Sequence, residues 1–216
     1  MQMFDYILFD LDGTVTDPFE GITKCVIYAL DSFGIRITDP NELTSFIGPP
    51  LFSQFKNFCG FDDTQAEEAV KKYRERYEKI GWKECKLTEG TAELLKKLKE
   101  KGKTVALATS KPESFAKLIL EYFDIEKYFD FIGGAVLDRK GRNSKKDVIE
   151  YVLSSLNVKD RSKAVIVGDT LYDIDGAKAA GISSIGVLCG YGTCEELQEH
   201  GADFIAENMS EVYELV

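Results

Sequence analysis

The sequence predicts an α/β protein with a doubly wound, mostly parallel sheet and an inserted all-helical segment. Short apolar runs alternate with amphipathic stretches along most of the chain, which is typical of strand–helix–strand crossovers. Most of these runs are continuously apolar, and this indicates strands that are covered on both faces. One long segment near the N-terminus breaks the alternation and reads as helical throughout.

Six strands are expected, at 4–9, 104–108, 131–136, 164–167, 184–188 and 204–206. Between them, apolar residues recur at steps of three and four, as on the buried stripe of a helix. The clearest helical stripes lie at 94–98, 115–123 and 148–156. These elements would build one sheet with helices packed against it.

The interruption runs from about residue 18 to residue 82 and contains no convincing strand. Three apolar stripes with helical spacing occupy 19–33, 51–58 and 66–80. We therefore expect an α/β core made of residues 1–16 and 83–216, and a helical cap made of residues 17–82.

Composition and charge argue against several classes of protein, including nucleic-acid-binding, membrane-spanning and secreted proteins. A net charge of −10 over 216 residues argues against general nucleic-acid binding, which needs clustered cations. We expect no membrane span, because no apolar run reaches about 20 residues, and no secretory signal, because the N-terminus lacks a basic region. Five cysteines without a Cys-x-x-Cys pair favour reduced thiols in the cytoplasm. A monomer is expected, and a dimer stays open.

The first chemical motif leaves the end of the first strand. Asp10 and Asp12 are two residues apart, and Gly13 permits a tight turn with positive φ. Ligands of open α/β sheets bind outside the carboxyl ends of the strands. Taken alone, the two acids are nearly as well explained as turn formers.

Two further polar elements follow later strands. Thr109 directly follows the second predicted strand. Ser110 and Glu113 have the spacing of a capping box, so a helix is expected to begin there and to favour an anion. Lys145 stands at the start of a predicted helix, against the helix dipole. That placement is sensible if Lys145 holds a phosphate, although a solvated surface lysine is the simpler alternative.

The fourth motif is Gly168-Asp169, with Asp173 four residues beyond Asp169. Thr170 and Asp173 also have the spacing of a cap pair. Acids, a hydroxyl and a lysine thus fall at the ends of four strands that should share one edge of the sheet. Together they supply a carboxylate nucleophile, hard oxygen ligands for Mg²⁺ and donors for phosphoryl oxygens.

These motifs resemble those of the haloacid dehalogenase superfamily of phosphohydrolases, in the same order and across essentially the whole chain. The matching residues are Asp10-x-Asp12-Gly13-Thr14, Thr109, Lys145 and Gly168-Asp169-x-x-x-Asp173. Two stretches, 47–51 and 176–182, resemble the phosphoglycolate phosphatase-like members. Lys145-Lys146 departs from the Lys-Pro that is frequent in relatives.

The resemblance implies a role for each residue. Asp10 would be the nucleophile and Asp12 the general acid and base. Mg²⁺ would be held by Asp10, Asp169 and the backbone carbonyl of Asp12, with Asp173 supporting through water or Lys145. The phosphate-binding residues would be Gly13, Thr109, Ser110 and Lys145.

The resemblance implies hydrolysis of a small phosphomonoester, such as phosphoglycolate or a nucleoside monophosphate, selected by the cap. Cap residues that could reach the substrate are Glu20, Lys24, Arg74 and Tyr77. A phosphomutase and a pyrophosphatase share the core and stay open as alternatives. A phospho-acceptor signalling protein and a binding protein without turnover are more remote alternatives.

Overall fold

The computed structural model describes residues 4–136, 141–142 and 144–216. Residues 1–3, the start of the predicted core, lie outside that range. The chain divides into two compact units, which we call the core unit (Met1–Asp17 and Leu87–Val216) and the helical unit (Pro18–Lys86). These compact units divide after residues 17 and 86, whereas the domain boundaries predicted from the sequence fall after residues 16 and 82.

Eight strands lie in the described chain: β1 (Tyr6–Phe9), β2 (Thr16–Asp17), β3 (Lys86–Leu87), β4 (Thr104–Pro112), β5 (Phe131–Ala135), β6 (Ala164–Gly168), β7 (Ser183–Val187) and β8 (Phe204–Ala206). The helices are α1 (Phe19–Asp31), α2 (Leu51–Cys59), α3 (Asp63–Tyr77), α4 (Thr91–Glu100), α5 (Glu113–Tyr122), α6 (Lys145–Ser155), α7 (Leu171–Ala180), α8 (Cys194–Glu199) and α9 (Met209–Leu215). The six predicted sheet strands are all present. Among these helices, none is long and apolar enough to cross a membrane.

Six strands form one parallel sheet in the order β5-β4-β1-β6-β7-β8, which confirms the predicted fold class. β1 lies at the centre, and Phe9 is level with Leu107 of β4 and Val167 of β6. The chain visits β4 and β5 on one side of β1 before β6, β7 and β8 on the other. The end of β1 is therefore a topological switch point, where such sheets bind ligands.

Helices cover both faces of this sheet. The adjacent residues Gly133 and Gly134 of β5 point to opposite faces, and a Cβ added to them would meet Val152 of α6 and Glu113 of α5, respectively. On the α6 face, alternate residues of β1, β4 and β6 pack with α6 and α7 in a buried apolar cluster. This double covering explains why the strands are continuously apolar.

β4 differs from its prediction because it continues to Pro112 instead of ending at residue 108. The predicted capping box of Ser110 and Glu113 is wrong: Ser110 is an exposed strand residue, and α5 begins at Glu113 after Pro112. Proline disfavours helical backbone in the residue before it. A helix therefore could not begin at Ser110.

The helical unit has α1, α2 and α3 at the three predicted stripes. A 3₁₀ segment, Pro40–Phe46, was not predicted, since its apolar residues Leu43 and Phe46 are too few to mark a stripe. Phe46 packs edge-on against Phe55, with ring centroids 5.1 Å apart. This unit thus buries an aromatic core of its own.

Candidate active site

The first motif forms a tight turn directly after β1. The Asp10 N–H donates to the carbonyl of Val167, 2.9 Å away, so β6 fixes the backbone of Asp10. Gly13 has φ +86°, as predicted, and a Cβ there would lie 2.1 Å from Oδ2 of Asp169. Both the backbone angle and the close approach therefore require glycine at position 13.

Lys145 reaches the same place from the first turn of α6. Its Nζ lies 2.7 Å from Oδ1 of Asp10, 2.6 Å from Oδ1 of Asp173 and 3.2 Å from the carbonyl of Ala108. The side chain is 5% exposed, so the alternative of a solvated surface lysine is wrong. Burial lowers the pKa of Lys145, but the carboxylates of Asp10 and Asp173 outweigh it, and the pKa is raised.

Asp169 follows β6 and is fully buried. Its Oδ1 accepts from the Thr14 hydroxyl at 3.1 Å, and its Oδ2 accepts from the Tyr191 N–H at 2.9 Å. Burial, followed by the nearby charges of Asp173 and Asp10, raises the pKa of Asp169 well above its usual value. The carboxylate is therefore held in one orientation beside other acids.

Asp173 combines the two roles that the sequence left open. Its Oδ2 accepts from the N–H and the hydroxyl of Thr170, at 3.1 and 3.0 Å, so it caps α7. Its Oδ1 faces Lys145. Burial raises the pKa of Asp173, and Lys145 opposes that effect. Because both oxygens are engaged, Asp173 is better suited to support a metal ligand than to be one.

The end of β4 contributes Thr109 and a residue that sequence reasoning missed. Thr109 is buried, and its hydroxyl accepts from the N–H of Lys111 at 3.2 Å. The ammonium group of Lys111 lies 2.5 Å from Oδ2 of Asp12, and its side chain is 6% exposed. Burial raises the pKa of Asp12 while Lys111 lowers it, and the net direction is upward. Ser110 is exposed at this edge.

The acids fit a hard divalent cation. Carboxylate oxygens of Asp10, Asp169 and Asp173 lie within 4.8 Å of one another, and all three residues are buried. Within the described chain, Oδ1 of Asp12 is buried without a hydrogen-bond partner, and Oδ1 of Asp10 and of Asp173 share the ammonium group of Lys145. Oxygen-only carboxylate sites with spare acceptors are those that Mg²⁺ prefers.

The charges at this edge do not balance. Among the described residues, four carboxylates, of Asp10, Asp12, Asp169 and Asp173, face two ammonium groups, of Lys111 and Lys145. When all four acids are ionised, the surplus of two negative charges equals the charge of one divalent cation. We refer to these six residues as the core cluster.

The loop after β7 is a second feature that sequence reasoning missed. The Tyr191 N–H binds Asp169, and the Tyr191 hydroxyl donates to Asp17. A Cβ on Gly190 would lie 2.2 Å from Oδ2 of Asp169. Glycines on both sides of a tyrosine directly after a strand end were the available signal.

The four predicted cap residues lie in the helical unit. Lys24 pairs with Glu20 at 2.5 Å and with Glu84 at 3.3 Å. Tyr77 is buried and stacks on Tyr73, with ring centroids 5.4 Å apart. Arg74 is half-buried on α3. Their proposed contact with a substrate stays a prediction.

The chain matches known proteins over nearly its whole length. The family model of haloacid dehalogenase-like hydrolases matches residues 7–187. A 5'-nucleotidase from Pseudomonas aeruginosa is 42% identical over 90% of this chain and 87% of its own. A phosphoglycolate phosphatase from Vibrio parahaemolyticus is 30% identical over 100% of this chain and 97% of its own.

Two further similarities concern a solved structure and a longer relative. The crystal structure of a predicted phosphatase from Clostridium acetobutylicum superposes with a TM-score of 0.94 at 43% identity, covering 99% of this chain and 98% of that one. The tyrosine-protein kinase PtkA of Mycobacterium tuberculosis is 38% identical over 88% of this chain. This chain matches 64% of the length of PtkA.

The chain therefore belongs to the haloacid dehalogenase-like hydrolases. It is a hydrolase of phosphoric monoesters, a phosphatase.

Proposed function

We propose that this enzyme is a Mg²⁺-dependent phosphatase of small phosphomonoesters that works through an aspartyl-phosphate on Asp10. The observation that carries the proposal is the position of Asp10 at the switch point of the sheet. There, the ammonium group of Lys145 lies 2.7 Å from Oδ1 of Asp10, and carboxylate oxygens of Asp169 and Asp173 lie within 4.8 Å of an oxygen of Asp10. This is an environment for a carboxylate that must meet a phosphoryl group and a cation together.

The reaction has two steps. A carboxylate oxygen of Asp10 attacks phosphorus in line, so an O–P bond forms as the bond to the leaving oxygen breaks. Asp12 gives its proton to that oxygen, then removes a proton from the water that hydrolyses the aspartyl-phosphate. The raised pKa of Asp12 supports the acid role. Asp10 is regenerated, and inorganic phosphate leaves.

Other residues of this edge would hold the phosphoryl oxygens. Thr109 and Lys145 are buried donors at this edge, and Gly13 and Ser110 are the other proposed phosphate-binding residues. The Gly13 N–H itself donates to the carbonyl of Thr16, so Gly13 would act by letting the turn approach the phosphate closely. Asp10, Asp169 and the backbone carbonyl of Asp12 would hold Mg²⁺, with Asp173 supporting through water or Lys145. When bound, the cation offsets the negative charge that builds up on the phosphoryl group.

The substrate is proposed to be small, either a phosphoglycolate-like ester or a nucleoside monophosphate. The names of the two phosphatase relatives support these classes. The helical unit would select among esters and exclude water, with Glu20, Lys24, Arg74 and Tyr77 as candidate contacts. The absence of a disulfide among the cysteines of the described chain supports a reducing, cytoplasmic location.

The test measures phosphate release from a panel of monoesters with Mg²⁺. Asp10→Asn is expected to lower the rate by at least about 10⁴-fold, because an amide cannot act as the nucleophile. Asp5→Asn is the matched control, since Asp5 is an exposed acid just before the same strand. Phosphate release by Asp10→Asn at the rate of the control would refute the proposal. Circular dichroism checks that both variants are folded.

A further inference from the structure

Lys111 is a buried cation to which the family motifs give no role. Its ammonium group lies 2.5 Å from Oδ2 of Asp12, and the side chains of Lys111 and Asp12 are 6% and 12% exposed. A desolvated ammonium group needs a close anion to offset the lost hydration. The ammonium group of Lys111 therefore favours negatively charged groups of a substrate that binds next to Asp12.

The two lysines of the core cluster contact acids that have different roles in the proposed reaction. Lys145 approaches Asp10, the nucleophile. In an in-line displacement, the leaving oxygen departs on the side of phosphorus that faces away from the nucleophile. Asp12 must reach that oxygen to protonate it, so Lys111, which touches Asp12, lies on the leaving-group side.

The two oxygens of Asp12 have different surroundings. Oδ2 is held by Lys111, whereas Oδ1 is buried without a hydrogen-bond partner in the described chain. Oδ1 is therefore the oxygen that can meet the leaving group. A substituent one or two bonds from the leaving oxygen would then come next to the ammonium group of Lys111.

We propose that Lys111 selects phosphomonoesters whose leaving group carries a second negative charge close to the ester oxygen, either a carboxylate or a second phosphoryl group. This inference rests on the proposed function, because it needs Asp12 at the leaving oxygen. It favours small phosphorylated hydroxy acids or pyrophosphate over esters of neutral alcohols, including nucleosides.

The experiment compares two esters of equal length, 2-phosphoglycolate and 2-hydroxyethyl phosphate, which differ in a carboxylate against a neutral hydroxymethyl group. We expect the wild-type enzyme with Mg²⁺ to prefer the carboxylate ester in kcat/KM by at least about tenfold, because a neutral group leaves the buried cation without a new partner. Pyrophosphate is the second arm, and it separates selection of a carboxylate from selection of a phosphoryl group.

Three variants locate the origin of the preference. Lys111→Met, which keeps the aliphatic length, should reduce the ratio of the two kcat/KM values to about one, and Lys111→Arg should retain a preference because it keeps a cation. Lys117→Met is the matched control, since Lys117 is a half-exposed lysine of α5 that pairs with Glu113. Its ratio should equal that of the wild type.

The outcomes separate the two proposals. A wild-type enzyme that hydrolyses both esters equally well, or prefers the neutral one, would overturn the inference and leave the proposed function standing. The inference would also be overturned if Lys111→Met lowered kcat/KM for the two esters by the same factor, because Lys111 would then only position Asp12. If the wild type releases phosphate from none of these esters or the wider panel, the proposed function fails first.

Discussion

Two groups of charged residues in this protein differ in how completely their charges are matched. In the core cluster, four carboxylates face two lysines, and Lys145 is 5% exposed. In the helical unit, Arg76 and Lys24 face Glu84 and Glu20, so the charges balance, and Lys24 and Glu20 are about half exposed. The unbalanced group is thus the buried one.

This difference separates a site from a structural ion-pair network. Balanced, partly solvated pairs add modestly to stability. Buried, unbalanced carboxylates with unpartnered oxygens oppose folding unless a cation or a ligand arrives. We therefore expect changes in the core cluster to alter activity and the response to Mg²⁺, and changes in the helical network to alter stability slightly.

The largest difference in stability between the two groups is expected for Lys145→Met. Removing this ammonium group leaves Asp10 and Asp173 without their shared cation, which should lower kcat by roughly 10²–10³-fold and destabilise the protein by about 3 kcal/mol. Arg76→Met is the matched change in the helical unit and should cost about 1 kcal/mol. Activity assays and urea unfolding measure both effects. Equal losses of stability in the two variants would contradict the comparison.

The next effect concerns Asp169→Asn and Mg²⁺. Because the native pKa of Asp169 is raised, the metal-free native state holds its proton longer than the unfolded chain does. Stability should fall as pH rises from about 4 through the native pKa. At pH 7 the variant should therefore melt a few degrees higher than the metal-free wild type, since ~1 kcal/mol is about 2–4 °C at this size.

The same melting series tests the metal site. Mg²⁺ should raise the melting temperature of the wild type at pH 7 and have little effect on Asp169→Asn. Chelation should abolish phosphate release by the wild type, and added Mg²⁺ should restore it. Full activity after complete metal removal would show that the core cluster needs no cation.

A smaller effect is expected in the pH profile. Burial raises the pKa of Asp12, so its acid form persists to higher pH than that of a free aspartic acid, and kcat should fall as pH rises through that pKa. Lys111 lowers this pKa. Lys111→Met should therefore move the alkaline limb to higher pH, and a shift to lower pH would contradict the assignment of that limb to Asp12.

The smallest effect is expected for Glu84→Gln. Glu84 accepts from Arg76 at 2.6 Å and from Lys24 at 3.3 Å, and both pairs lie in the helical unit. The change should cost about 0.5–1 kcal/mol in urea unfolding. Glu84→Gln should leave the Mg²⁺-dependent rise in melting temperature unaltered. If the variant lost that rise, the helical network and the core cluster would be coupled.

The sequence was enough to predict the sheet and most of the core cluster, because parallel strands collect their carboxyl ends at one edge. Within the core cluster, Asp10, Lys145 and Asp169 each follow or face such an end. Lys111 was missed for a local reason: a strand that ended at residue 108 would not carry it to Asp12. The contact spans 99 residues of chain, and no local pattern encodes it.

The two hydrogen bonds that orient the Asp169 carboxylate were missed for a similar reason. Thr14 and the N–H of Tyr191 come from the turn after β1 and the loop after β7, and only the folded sheet brings those segments together. The sequence also contains the reason why Ser110 and Glu113 form no capping box, because Pro112 disfavours helical backbone at the residue before it.

We infer that Asp10 carries the phosphoryl group in the intermediate and that Asp12 activates the water that hydrolyses this intermediate. Asp12→Asn is treated with p-nitrophenyl phosphate, whose leaving group needs no acid, then quenched in acid and examined by peptide mass spectrometry. We expect one phosphoryl group on the peptide that contains Asp10, and none in the Asp10→Asn, Asp12→Asn double variant. A phosphoryl group on another residue, or product formation without any adduct, would contradict it.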